Sequence, residues 1–117
     1  MYFDEDLVLD LRLNTLNDYV DKFVIAEGTR DHAGNKKKLN FDYNNFPKFK
    51  NKIEYLIVDD IPLNVKSKKK NWTENHWRDQ HQRNSLVKGF QNCDDNDLIM
   101  ISDIDEIADP KKLHEFK

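Results

Sequence analysis

Between Asp6 and Val20 the apolar residues Leu9, Leu13, Leu16 and Val20 recur at steps of four, three and four, with Arg12, Asn14, Asn17 and Asp18 between them. That spacing collects the apolar side chains on one face and predicts an amphipathic helix. Phe23-Val24-Ile25-Ala26 follows, apolar without alternation, as a strand buried on both faces would be, and it stops at Glu27-Gly28-Thr29. Residues 28–40 hold Gly28, Gly34 and the run Lys36-Lys37-Lys38, and are too polar for anything but an exposed loop. Phe41 to Lys52, with Phe41, Phe46 and Phe49 around Pro47, predicts a short, imperfect helix. Ile53 to Val58 predicts a second strand, closed by Asp59-Asp60 and Pro62.

The second half repeats the alternation. After a basic run from Lys66 to Lys70, the segment from Trp72 to Phe90 lacks Gly and Pro until Gly89 and predicts a long polar helix. Asn92-Cys93-Asp94-Asp95-Asn96 is a turn, and Leu98-Ile99-Met100-Ile101 predicts a third, fully buried strand running into Ser102-Asp103-Ile104-Asp105-Glu106. Asp109 followed by Pro110 is a helix start, so a last helix is expected to reach Phe116. Helices alternating with strands imply right-handed crossovers and a mainly parallel sheet covered on both faces, an α/β Rossmann-like fold. Ligands in such sheets bind beyond the carboxyl ends of the strands. All three expected strands end in carboxylates, at Glu27, at Asp59 with Asp60, and at Asp103 with Asp105.

Composition narrows the classes. The 117 residues suit a single domain, and seven Phe, four Tyr and two Trp supply a core despite 35% charged residues. Nineteen basic against 22 acidic residues give a net charge of -3, so no global field favours nucleic acid or an anionic membrane. No apolar run approaches the roughly 20 residues of a membrane span, and the acidic start Asp4-Glu5-Asp6 does not resemble a signal peptide, so a soluble, cytoplasmic protein is expected. On that expectation the glycosylation-like triplet Asn71-Trp72-Thr73 reads as chance. Cys93 is the single cysteine and has no partner for a disulfide.

Among chemistry-bearing residues, Asp103 and Asp105 stand two apart where an apolar strand emerges, a pattern that presents hard oxygen ligands to Mn2+ or Mg2+ and leaves room for phosphate oxygens and water. Glu106 adds a third carboxylate; the alternative is an ordinary acidic turn. Arg83 follows Asp79 by four residues, so a carboxylate can hold its guanidinium for a diphosphate or for a metal-binding carboxylate, unless the two are only a surface ion pair. The lysine runs could draw in an anionic nucleotide or be solvated loops, and Trp72 and Trp77 could stack on a base or sugar or pack the long helix on the sheet. The four histidines lack metal-ligand spacing. No Gly-x-Ser-x-Gly elbow and no Gly-rich phosphate loop is present, which removes the α/β-hydrolase, P-loop and dinucleotide-binding readings.

Several ordered motifs resemble glycosyltransferase family 17, which includes the β-1,4-mannosyl-glycoprotein β-1,4-N-acetylglucosaminyltransferases. They are Leu9-Asp10-Leu11-Arg12-Leu13-Asn14, Val20 to Glu27, Gly34 with Lys37 and Leu39, Gln82-Arg83-Asn84, and Asp94-Asp95 through Ile107. The resemblance spans about Phe3 to Leu113 and implies a GT-A type fold, a UDP-N-acetylglucosamine donor, a glycan acceptor, a divalent metal and inversion at the anomeric carbon. It implies that Asp103 and Asp105 serve metal and diphosphate, that Arg83 and the loop residue Lys37 face the donor, and that Glu27 faces the nucleoside. The loop Ala33-Gly34-Asn35-Lys36-Lys37-Lys38 departs from the Ser-Gly-Lys-Pro-Lys-Pro common among relatives. The chain stops at Lys117, short of the acceptor-binding part and the general base expected of a complete GT-A enzyme. Residues 1–117 are thus expected to form one donor-binding domain with no catalytic base assigned, able to self-associate. The rival expectation is a non-catalytic nucleotide-sugar or metal-binding module.

Overall fold

A computed structural model of the chain describes residues 1–63 and 73–116. The run Lys66–Lys70, Asn71 and Trp72 lie outside the described residues. Helix α1 (Asp6–Leu16) leads to strand β1 (Phe23–Gly28), and two short 3₁₀ turns, Tyr43–Asn45 and Pro47–Phe49, lead to strand β2 (Ile53–Val58). Helix α2 (Glu74–Asn84) continues directly into a 3₁₀ segment, Ser85–Phe90, and a last 3₁₀ segment spans Pro110–Phe116.

β1 and β2 pair in parallel from Phe23 opposite Ile53 to Gly28 opposite Val58. Alternation along the strands splits the core in two. Phe23, Ile25 and Ile53 face Leu9, Leu13 and Leu16 of α1 together with Phe41, Phe46 and Phe49. Ala26 and Val58 face Leu86 of the 3₁₀ segment and Ile61. Helical structure therefore covers the sheet on both sides, as the apolar strands require.

Each helix departs from its expected span for a local reason. α1 stops at Leu16, where Asn17 and Asp18, poor helix formers, begin a turn; Val20 still packs on the core. The Phe41–Lys52 helix is replaced by the two 3₁₀ turns, because the Asp42 carboxylate accepts from the Asn44 amide at 2.9 Å and Pro47 cannot donate a helical hydrogen bond. α2 starts at a capping box in which Thr73 and His76 bond each other's backbone. It tightens to 3₁₀ geometry where the chain presses on β1: a Cβ on Gly89 would lie 2.7 Å from Val24 Cγ1.

The third strand is not formed. Leu98–Ile101 carries no ladder among the described residues, and Leu98, Ile99 and Ile101 are exposed, while Met100 packs against the α1 side of the core. A four-residue apolar run gives no periodicity to separate strand from coil. It is also bounded by the Asp94–Asp97 turn and by Asp103 and Asp105, whose carboxylates keep both ends in water. Between this segment and β1 runs a cleft of about 1260 Å³. On that side, among the described residues, β1 pairs only with Tyr2, whose amide donates to the Ala26 carbonyl at 2.9 Å. The expected last helix exists as the 3₁₀ segment from Pro110.

Candidate functional site

The carboxyl end of β1 opens into a second cleft of about 800 Å³, lined among others by Gly28, Lys37, Arg83, Asp103 and Asp105. Four of the five residues expected to meet donor or metal thus converge from three separate parts of the chain, and the fifth, Glu27, lies beneath them.

Glu27 is fully buried at the end of β1. Its carboxylate accepts from Lys37 Nζ at 2.6 Å, Tyr55 Oη at 2.6 Å, and the amides of Asn40 at 2.7 Å and Phe41 at 3.0 Å. Burial pushes its pKa up, but the hydrogen bonds from Lys37, Tyr55, Asn40 and Phe41 outweigh that, and the carboxyl is held below its ordinary value. Desolvation, then the bond to Glu27, raises the Tyr55 phenol, so it stays protonated as a donor. Glu27 thereby fastens the loop after β1 and sets the Lys37 ammonium at the cleft, where it also donates to the carbonyls of Gly28 and Lys38.

Arg83, on the last turn of α2, donates to Asp103 Oδ1 at 2.8 Å and stands 4.0 Å from Asp79 Oδ2. The helical neighbour Asp79 steadies the guanidinium, as its spacing suggested, and the closer contact reaches 20 residues along the chain to the acidic turn. His32 Nε2 approaches Asp79 Oδ1 at 3.5 Å from the opposite loop. Asp105 is exposed in the same cleft. Among the described residues no group of three or more His, Cys, Asp or Glu is arranged to hold a metal ion. Asp103 and Asp105 both line the cleft, so a cation held by them would have to draw its remaining oxygen ligands from phosphate and water.

A model of glycosyltransferase family 17 matches residues 1–117. The chain belongs to glycosyltransferase family 17. No match was found among the curated proteins, and none among the solved structures. Membership supports glycosyl transfer, with a sugar donor and an acceptor as the partners. No helix of the described residues is long and apolar enough to cross a membrane.

Two arginines that sequence reasoning left without a role brace the segments around this cleft. Arg78 is buried in α2 and donates to the carbonyls of Pro62 at 2.9 Å, Leu63 at 2.8 Å and His32 at 3.0 Å, and to Glu74 at 3.0 Å. It ties the loop after β1 to the segment after β2. Gly34 is required beside it: its φ is +90°, and a Cβ there would meet Arg78 Cζ at 2.9 Å. Arg12 reaches from α1 to the acidic turn. The available signals were slight: Glu74 stands four residues before Arg78, as Asp79 does before Arg83, and Arg12 is a lone cation amid the leucines of α1.

Proposed function

We propose that this family-17 chain is the donor-binding part of a metal-dependent, inverting glycosyltransferase of GT-A type, which takes N-acetylglucosamine from UDP-N-acetylglucosamine and passes it to a glycan hydroxyl. The observation that carries this reading is the convergence of Lys37, Arg83, Asp103 and Asp105 in one cleft at the carboxyl end of β1. The Arg83 guanidinium beside two carboxylates, with the Lys37 ammonium as a nearby charge whose three N–H groups are already bonded, suits a diphosphate that arrives with a hard divalent cation, Mn2+ first and Mg2+ second.

When bound, the cation would neutralise charge on the departing diphosphate. Arg83 orients Asp103 through one N–H and has further donors for phosphate oxygens, while Lys37 supplies a point charge held in place by Glu27. We therefore give Glu27 a positioning part, through Lys37, in place of direct contact with the nucleoside. In the transfer itself the acceptor oxygen bonds to the anomeric carbon as the bond to UDP breaks on the opposite face, and the hydroxyl proton passes to a carboxylate base. That base is assigned to none of the described residues.

Calorimetric titration with UDP-N-acetylglucosamine tests the reading. Binding should require Mn2+ and weaken by about tenfold or more in Asp105→Asn, because losing a ligand charge lowers cation affinity. Binding indifferent to both changes would overturn it. Release of UDP in the presence of glycan acceptors then separates a transferase from a module that only binds.

A further inference from the structure

Resting on the donor-site reading, we infer that Arg12 is a positioning residue of the site, which fixes the backbone of the Ser102–Glu106 turn so that Asp103 and Asp105 are delivered to the cleft. Arg12 Nη1 donates to the Glu106 carbonyl at 2.8 Å and to the Asp103 carbonyl at 3.1 Å, and Nη2 donates to Ser102 Oγ at 2.7 Å. One planar group on α1 thus holds a turn some 90 residues away by both of its ends.

The turn also closes on itself. The Glu106 amide donates to the Asp103 carbonyl at 3.0 Å, the Asp103 amide donates to Glu106 Oε2 at 3.0 Å, and Ser102 Oγ donates to the Glu106 carbonyl at 3.2 Å. These internal bonds give the turn its shape but do not place it on the molecule. The preceding Leu98–Ile101 segment forms no ladder, so sheet pairing does not place it either. Ile104, with Met100 and Ile107 on either side, packs the turn loosely on the α1 side of the core; its polar placement falls to Arg12, which grips main-chain oxygens and leaves both aspartates' carboxylates to the cleft, and to Arg83, which takes one oxygen of Asp103. The two arginines act on different atoms of Asp103: α1 holds its carbonyl and α2 its carboxylate. A lysine at position 12 would keep the charge but could not span two carbonyls and a hydroxyl in one plane.

Two readings on the purified full chain test this. Amide hydrogen exchange without ligands should show Asp103 and Glu106 protected in the native protein and faster in Arg12→Met, with Arg12→Lys between, while β1 and β2 amides are unchanged. Mn2+ affinity, followed by the paramagnetic signal of free Mn2+ with UDP-N-acetylglucosamine present, should fall by about 10- to 100-fold in Arg12→Met, the range usual for residues that orient metal ligands. Arg12→Lys should recover part of it. Unchanged exchange and affinity in Arg12→Met would overturn the inference. So would rapid exchange of both amides in the native chain. If Arg12→Met fails to fold, the same two readings on Arg12→Lys decide. If the native chain takes up no Mn2+ at all, the donor-site reading fails by itself, and the exchange comparison still judges the hold of Arg12 on the turn.

Discussion

At the scale of single residues, the fully buried Glu27 is the most constrained group in the site. Its carboxylate replaces lost water with one ammonium, one phenol and two amides. Because its folded pKa lies below the unfolded value near 4.3, the stability it contributes is present above that value and is lost as pH falls through the folded pKa. Denaturant midpoints measured from pH 7 down to pH 3 should fall below about pH 4.3, and Glu27→Gln should remove that part of the slope. At neutral pH the same substitution strands Lys37 against a neutral amide and should cost about 3 kcal/mol, the usual penalty for breaking a buried pair. Position at the end of an apolar strand marked Glu27 in the sequence, but its partners did not show there. Tyr55 and the amides of Asn40 and Phe41 meet it only once β2 pairs with β1 and the loop folds back, and no local spacing encodes that.

At the scale of elements, legibility followed periodicity. α1, β1 and β2 were readable because apolar stripes or apolar runs bury enough surface to override local detail, and α2 because a long segment without Gly or Pro can stay helical. The Phe41–Lys52 segment and Leu98–Ile101 were not, being short stretches whose state depends on what lies opposite them. The Arg83 link to the acidic turn was half legible: the Asp79 spacing announced a held guanidinium, and its grip on Asp103 required the tertiary fold. The packing of the 3₁₀ segment on β1 gives a test at this scale. Gly89→Ala forces a Cβ to within 2.7 Å of Val24 Cγ1, and overpacking of this kind costs about 1–3 kcal/mol. The melting temperature should drop, and Val24→Ala, by removing the methyl groups in the way, should restore much of it in the double variant. A drop that the second substitution leaves untouched would show that the two elements are not in contact.

At the scale of the whole molecule, a two-stranded sheet leaves more apolar surface in water than a larger sheet would. Leu98, Ile99 and Ile101 stand exposed along the 1260 Å³ cleft beside β1, and apolar patches of this sort bind hydrophobic dyes. Anilinonaphthalene sulfonate should therefore fluoresce with the native protein at neutral pH, and the double substitution Ile99→Asp, Ile101→Asp should abolish most of the signal without a loss of helical circular dichroism. A native protein that leaves the dye dark would mean that the cleft is closed in solution.

The double hold on Asp103 bears on how anything could enter the site. Its carbonyl belongs to Arg12 and its carboxylate to Arg83, so the two can be released separately. On the proposed reading, a cation that drew the carboxylate away would free the Arg83 guanidinium for the counter-charge arriving with it, while the main chain would stay pinned to α1. Entry would then be an exchange of ionic partners on a stationary frame, with both new pairings made by the event that breaks the old one.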